Sequence, residues 1–406
     1  MTRTAGDSRA DANAAAVLRT VLAHGPVARS EVSRLCGLSP AAVSRQATGL
    51  LRGGLLRELH GSGGGVGRPL VPLDLNTGAV GGPVAAGLHI GVPASTFGLV
   101  DLRGRLLARR SFSHTAIPPA ELPAAIADRL GAFLDEFNGP RGHHGAGGPH
   151  GPHRPLLGVG AALGGWVRPD DGTVVRHTAL GWHDQPLGAV LEARLGLPVR
   201  VDNHARAIAH AEILFGRPEA GRSLVHLFVG NVVDAAFGIG GTVHRGPGAA
   251  AGDVAHLPVP GSRTPCPCGR TGCLQATASD TALGAEAVRR GIVPDPSVNL
   301  LVDAAAVGDP RADRLLRERA RAVGRAAALL LDVFNPAVMV VTELSSVLHE
   351  GYLDEIREAA GAPREHRIVS PHAGPAVLPG AAAAVLLDRL FDAPLDPLVR
   401  APSRLT

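Results

Sequence analysis

Residues 253–275 read DVAHLPVPGSRTPCPCGRTGCLQ. Within this stretch His256, Cys266, Cys268 and Cys273 offer one imidazole and three thiols, the complement of a closed tetrahedral zinc site. Gly269 and Gly272 allow the backbone to turn tightly enough to bring the third thiolate round, and Arg263 and Arg270 can offset the surplus negative charge. A disulfide framework fits poorly, because three clustered cysteines cannot pair among themselves without a remainder and a cytoplasm is reducing. With four protein ligands and no open position, a zinc ion here is structural rather than catalytic. The fourth cysteine, Cys36, lies far upstream in a turn and reads as a small buried residue.

On either side of this stretch the sequence alternates apolar runs with helical patterns. Strands are predicted at 86–92, 96–102, 106–112, 156–162, 198–202, 223–229 and 337–342. Helices are predicted at 119–137, 205–215, 312–332, 345–360 and 380–391. This is an α/β body with a strand-rich start. Residues 139–155, GPRGHHGAGGPHGPHRP, interrupt it and read as a disordered surface insertion rich in Gly, Pro and His.

The 406 residues suggest two or three domains at roughly 150 residues each. Hydrophobic residues make up 45% and charged residues 19%, which excludes a wholly disordered chain. No uncharged apolar run approaches the ~18–20 residues needed to span a bilayer. Arg3, Asp7, Arg9 and Asp11 precede any apolar stretch, so no secretory signal is read and a cytoplasmic protein with no membrane partner is expected. Every basic residue is Arg, and their distribution is uneven. Residues 1–75 hold nine Arg against five acids, a balance equal to the whole net charge of +4, while the remainder is neutral. A small basic module ahead of a large neutral body suggests a polyanion-binding head.

The local pattern in that head supports this. Ala14, Val17, Leu18, Val21 and Leu22 form the stripe of an amphipathic helix, closed by His24-Gly25-Pro26. Ser30 can cap a short second helix, and Cys36-Gly37-Leu38 makes the turn. Ser39 followed by Pro40 is a strong start signal for a third helix. On that helix Val43, Ala47, Leu50 and Leu51 share one face, while Ala41, Ser44, Arg45 and Thr48 share the other. Strands at 55–59 and 69–73, joined by the Gly-rich tip 61–67, complete a winged helix-turn-helix with its core inside about residues 13–75. Ser44 and Arg45 are the candidate base contacts, with Thr48 beside them on the outer face. Arg52 and Arg57 are candidates for phosphate, and Arg68 for the minor groove.

Together these features resemble the ROK family, which groups repressors, frames of unassigned role and sugar kinases. The resemblance runs from about Asn13 to about Phe391. It is carried by CPCGRTGCLQ, by GAAAGDVAH (248–256), by PVRVDNHARAIAHAE (198–212) and by HTALGWHDQPL (177–187). The Gly67-Arg68-Pro69 wing base resembles the repressor branch in particular. The resemblance implies a two-lobed actin-like, ribonuclease-H-like body with a sugar cleft between the lobes, and assembly into homodimers or homotetramers. The boundaries expected are 1–75 for the head, 80–201 with 376–395 for the first lobe, and 202–375 for the second lobe with its zinc site.

In that family's kinases the base for the sugar hydroxyl is the Asp of an Asn-Asp pair, which here reads Asn203-His204. The first phosphate loop, Asp-x-Gly-x-Thr in kinases, is here His89-Ile90-Gly91-Val92-Pro93, and the second, Gly-Thr-Gly-rich, is Gly230-Asn231-Val232-Val233-Asp234. Phosphoryl transfer needs a base, a magnesium carboxylate and phosphate-binding amides together, and all three are altered, so neither ATP nor magnesium is expected as a cofactor. The family's sugar contacts fall on Asn203, His204, Asp253, His256 and Gln275, of which Asn203 and His256 keep the common residue. The altered set suits a different ligand, such as an amino sugar derivative, a sugar phosphate or a sugar acid, or no ligand at all. The expected function is a DNA-binding regulator, a repressor of operator DNA responsive to a sugar-type effector. The alternatives are a sugar kinase with a fused DNA-binding head and a ligand-independent regulator.

Overall fold

The computed structural model describes residues 5–59, 71–78, 81–138 and 154–396. The wing tip with Arg68 and nearly all of the His-rich insertion lie outside the described residues.

The head opens with α1 (Ala5–His24), whose Ala14, Val17, Leu18 and Val21 are fully buried. In α2 (Arg29–Cys36) the cap position is Ala28, without a side-chain bond, so Ser30 stands inside the first turn rather than capping it. The helix stops at Gly37, which takes the left-handed conformation at φ 69°. Ser39 does cap α3 (Pro40–Arg52), accepting from Ala42 N, with Pro40 in the first turn. The strands β1 (Leu56–Glu58) and β2 (Leu73–Leu75) pair antiparallel, and Val27 bridges to Leu73 beside them. Helix, helix, helix, hairpin is thus the observed order.

The head's core is not self-contained. Val17, Leu18, Leu50 and Leu73 belong to the same buried cluster as Leu102, Leu214, Leu387 and Phe391 of the body. A periodicity argument sees only which face is apolar, not which domain covers it. Polar contacts reinforce the junction: Asp74 accepts from Arg103 at 2.5 Å and Arg57 at 3.1 Å, and Arg103 also donates to Leu22 O.

The first body sheet has the order β10-β6-β3-β4-β5. Here β3 (Val84–Ile90), β4 (Ala94–Asp101) and β5 (Leu106–Ser113) form an antiparallel meander. After α4 (Leu122–Asn138), β6 (Leu156–Leu163) lies parallel to β3. A small antiparallel sheet follows, β7 (Trp166–Arg168), β8 (Thr173–His177) and β9 (Trp182–Gln185), and then α5 (Leu187–Leu195). Strand β10 (Val199–Asn203) returns parallel to β6. Next come α6 (His204–Phe215) and α7 (Pro218–Arg222).

The second sheet has the order β13-β12-β11-β14-β15. Its hairpin, β11 (Ser223–Val229) with β12 (Val233–Ile239), is flanked by β13 (Thr242–His244). The metal-ligand stretch precedes α8 (Leu274–Ala278), α9 (Asp280–Arg289), α10 (Val298–Ala306) and the long α11 (Pro310–Phe334). Strand β14 (Val338–Glu343) then runs parallel to β11. The single helix predicted for 345–360 is divided into α12 (Leu344–Leu348) and α13 (Glu350–Ala360). His349 between them is extended, while Glu343 caps α12 by accepting from Ser345 N and Ser346 N. β15 (Ile368–Val369) and α14 (Val377–Asp392) end the fold.

Helix α14 packs on the first sheet at very close range. A Cβ on Gly87 would fall 1.9 Å from Pro379 O, and one on Gly160 would fall 2.0 Å from Ala382 O, so only glycine fits either position. The stretch Gly374–Asp392 is long and apolar enough to cross a membrane by composition, but most of its apolar residues, Ala382, Leu386, Leu387, Leu390 and Phe391 among them, are buried in the core. Together α6 and α14 lie between the two sheets, with Ile208 and Ala382 in one buried cluster with Leu224 and Val340.

Candidate functional site

Three places carry the candidate residues. On α3 the side chains of Ser44, Arg45, Thr48 and Arg52 are exposed, and neither Arg45 nor Arg52 enters an ion pair among the described residues. Thr48 bonds back to Ser44 O. Arg57 differs: it donates to the buried Asp74 at the junction with the body, so part of its capacity is already committed.

The metal-ligand stretch folds as its glycines require. Pro258 bridges to Cys273 and Pro265 to Thr271, and Gly269 N closes a turn on Cys266 O. Gly272 stands at φ 71°, where a Cβ would meet Ser262 O at 2.6 Å. The donor atoms of His256, Cys266, Cys268 and Cys273 all lie within 4.8 Å of one another. Cys266 Sγ is 3.7 Å from His256 Nδ1, and Cys268 Sγ is 3.7 Å from Cys273 Sγ. Tetrahedral ligands with metal–sulfur bonds of about 2.3 Å stand ~3.7 Å apart, the spacing that these two pairs already have, so the donor set suits such an ion. The Arg270 guanidinium beside Cys268 draws that thiol down to about 6.

Between the lobes lies a cleft of about 520 Å³. Both altered loops, 89–93 and 230–232, line it, together with residues 296–299 and α12. At its inner end β10 delivers Asn203, which caps α6 by accepting from Ala205 N at 2.8 Å. The Asn203 Nδ2 donates to Gly165 O at 2.8 Å and to Asp234 Oδ2 at 3.0 Å. That carboxylate oxygen, brought by β12 of the second sheet, also accepts from Gly165 N at 3.2 Å and lies 3.0 Å from His204 Nε2. One buried oxygen of the second sheet therefore answers three groups gathered at the ends of β6 and β10 of the first sheet. Burial pushes the Asp234 carboxyl up, but the His204 imidazole, the Asn203 amide and Gly165 N–H together hold it below its ordinary value.

Two further imidazoles share the cleft. His89 stacks on His204 with ring centroids 6.0 Å apart, and His177 accepts from Leu180 N. Burial, reinforced by His204, lowers His89 to about 3 and His177 to about 4, so both are neutral at physiological pH. Behind them His226 bonds to Ala205 O and Thr342 Oγ1, and burial lowers it to about 3.

Of the five expected ligand contacts, His204 lines this cavity and Asn203 stands behind it on Asp234, whereas Asp253, His256 and Gln275 are not among its lining residues. Gln275 instead fixes the second loop, where it accepts from Val233 N at 2.8 Å and donates to Asn231 O at 2.7 Å. Sequence reasoning missed the role of Asp234. Its one signal was an acid inside the run Val233-Asp234-Ala235-Ala236-Phe237, a residue type that is rarely buried without a partner.

The ROK family model matches residues 85–361. The transcriptional regulator Mb0495 of Mycobacterium bovis is 34% identical, with 96% of this chain and 88% of its own length covered. A putative xylose repressor of Caldicellulosiruptor is 29% identical over 84% of this chain and 85% of its own. Among solved structures, a ROK family transcriptional regulator, homolog of the E. coli MLC protein, shares the fold with a TM-score of 0.73 at 24% identity, covering 97% of this chain and 99% of that one. A ROK family glucokinase from Streptomyces griseus, solved with glucose and AMPPNP, gives a TM-score of 0.61 at 27% identity over 74% of this chain and 98% of its own. The body is thus of the two-lobed, actin-like kinase type, and with more than half of its length matched by the family model the chain belongs to the ROK family.

Proposed function

We propose that this protein is a DNA-binding transcriptional regulator, a repressor whose winged-helix head binds operator DNA and whose body senses a sugar or sugar derivative. The observation that carries the reading is the α3 face: Ser44, Arg45 and Thr48 exposed together on a helix that Ser39 starts and a turn joins to α2. Such a face enters the major groove in helix-turn-helix proteins. The names of the relatives, transcriptional regulator and xylose repressor, point the same way. In this reading Arg45 and Ser44 contact bases, Arg52 and Arg57 contact phosphate, and Arg68 enters the minor groove.

The head takes residues 1–75, the first lobe 80–201 with 376–395, and the second lobe 202–375. A zinc ion on His256, Cys266, Cys268 and Cys273 staples the second lobe and holds the stretch between Asp253 and Gln275. His204, with Asn203 behind it, marks the effector end of the cleft, while Asp253, His256 and Gln275 stand outside the cavity lining on the adjoining metal-ligand stretch. The chain works as a homodimer or homotetramer on a symmetric operator. It is not an enzyme, because the kinase base and both phosphate loops are replaced.

The test selects bound duplexes from a random pool and then compares Arg45→Ala on a selected and an unrelated duplex. The variant should lose about 1–3 kcal/mol on the selected site, the range of a bidentate base contact, and keep its salt-dependent non-specific binding. Equal loss on both duplexes would remove Arg45 as a reader. Sugar phosphorylation from ATP, abolished by His204→Ala, would overturn the regulator reading of the cleft.

A further inference from the structure

We propose that the cleft takes an uncharged effector with an apolar body and a hydroxyl-bearing end, and that it discriminates against phosphorylated forms of the same molecule. The inference rests on the cleft being the regulator's sensing site and narrows what that site can hold. The cavity, about 520 Å³, is of small-molecule size.

Its chemistry is hostile to phosphate. A phosphate site needs guanidinium or ammonium groups, or unspent backbone amides at a Gly-rich loop or helix start. Among the described residues no Arg lines the cavity, and the sequence has no Lys. The imidazoles of His89 and His177 are neutral there, and the third, His204, is already paired with the Asp234 carboxylate at 3.0 Å. Three of the amides of the two loops are already spent, and a fourth position has none. Gly91 N donates to Ala94 O, Gly230 N to Val232 O and Val233 N to the Gln275 side chain, while Pro93 has no N–H to give.

Three helix starts around the cavity carry side-chain caps. Ser279 Oγ accepts from Ala282 N at the start of α9, Ser297 Oγ from Leu300 N at the start of α10, and Glu343 from Ser345 N and Ser346 N at the start of α12. Behind the wall the fully buried Arg319 pairs with both Asp280 at 2.6 Å and Glu343 at 2.8 Å, so that group holds two acids against one base. An incoming phosphate would therefore find the nearby guanidinium already taken by two acids.

What remains suits an uncharged ligand. Phe228, Val298, Leu344, Val347, Leu348 and Leu378 supply apolar lining for a ring or alkyl group. At the polar end His89 Nε2 is buried without a hydrogen-bond partner, and Asn231, Asn299 and Thr342 add amide and hydroxyl groups. A hydroxyl can satisfy such an orphaned ring nitrogen, and leaving one unpaired is costly.

The probes are the phenyl β-glycosides of xylose, glucose and N-acetylglucosamine, the corresponding free sugars, and phenyl β-glucoside 6-phosphate, titrated into the full chain by calorimetry. At least one phenyl glycoside should bind at millimolar concentration or better and tenfold tighter than its free sugar. Phenyl β-glucoside should likewise exceed its 6-phosphate tenfold. Thermal shifts should follow, roughly 1–3 °C at tenfold excess over Kd. Leu348→Arg, at a rim position 44% exposed and therefore tolerant of a long side chain, should narrow the gap between the glucoside and its phosphate. Binding of the phosphate as tight as that of the glucoside, no binding by any phenyl glycoside, or a gap unchanged in Leu348→Arg would each overturn the proposal. Operator release, read in parallel, separates the two claims. Glycoside binding without release would count against the sensing role and leave the site standing.

Discussion

Replacing Asp234 by alanine removes a buried acceptor that ties the second sheet to the first at the inner end of the cleft. Gly165 N then has no partner, Asn203 Nδ2 keeps only Gly165 O, and His204 loses the carboxylate 3.0 Å away. An orphaned buried N–H costs about 1–3 kcal/mol, and each lost hydrogen bond to a charged group about 1.5–3. Part of this is offset because a buried carboxylate no longer has to be desolvated. The expected net loss for Asp234→Ala is about 2–4 kcal/mol at neutral pH. Asp234→Asn keeps an acceptor oxygen but not its charge, and should lose about half as much. Urea unfolding gives the magnitude, and X-ray scattering reads lobe opening as a larger radius of gyration. Trp166 offers a local report, because its indole N–H donates to Gly248 O beside the clasp and it is 39% exposed. The lowered Asp234 pKa means that the clasp contributes stability above the ordinary carboxylate range and loses it only as pH falls through the folded value, below that range. Asp234→Ala within about 0.5 kcal/mol of wild type, the range of an inert surface substitution, with an unchanged radius would refute the clasp.

Three other outcomes are expected. Cys268→Ser should abolish zinc binding measured by metal analysis and unfold the second lobe at lower urea while leaving α3 helical; full stability without metal would make the four ligands fortuitous. His89, His177 and His226 are held neutral against an ordinary 6.5, so the unfolded chain gains protons that the folded one refuses as pH drops below that value. Glu212, pushed up to about 6 by burial, acts in the opposite sense between its ordinary 4.5 and 6. Near pH 5.5 the unfolding free energy should therefore fall by roughly 3 kcal/mol per pH unit on acidification, and a flat profile in denaturant titrations would contradict the assigned neutrality. Arg103→Ala strips the buried Asp74 of its shorter ion pair and Leu22 O of a donor. It should cost about 2–3 kcal/mol and speed proteolytic release of the head, whereas an unchanged cleavage rate would show that the apolar contacts suffice to hold it.

Strongly periodic or strongly punctuated segments were legible in the sequence. Ser39-Pro40 marked the start of α3, and the apolar run 223–229 coincides with β11, because each signal is local. Ser30 misled, since a Ser near a helix start caps only if the backbone there is extended, and Ala28 holds that conformation. Strand β12 escaped notice because Ala-Ala-Phe-Gly carries little alternation, and its pairing with β11 is a tertiary fact. The metal ligands were readable because four soft donors in one short segment leave few alternatives. The cleft was not, because Asp234 and Asn203 lie 31 residues apart and meet only when the two sheets close on each other. A family pattern could flag position 204 as altered, but not that the missing carboxylate had a counterpart arriving from β12.

The same geometry bears on how a cleft could influence a head that sits elsewhere. Helix α6 begins in the cleft at His204, pairs His210 with Asp388 of α14 at 3.0 Å midway, and ends with Leu214 in the core shared with the head. Asp388 and Asp392 take Arg19 of α1 at 3.5 and 2.6 Å. Arg19 is one-third exposed and Asp392 more than half, so these pairs contribute about 1 kcal/mol or less. The apolar seam does more: Leu386, Leu387, Leu390 and Phe391 are buried against Val17, Leu18 and Val21 of the head. Close-packed cores shift between discrete arrangements rather than bend. A change at the Asp234 clasp that displaced α6 and α14 would therefore carry α1 with it as a unit, rather than loosen a tethered head. A ligand biases that movement only by its differential affinity for the open and closed cleft. A difference of about 2 kcal/mol would alter operator affinity some 30-fold. Weakening the Arg19 pairs should leave that coupling largely intact, while cutting into the Leu387–Phe391 seam should remove it.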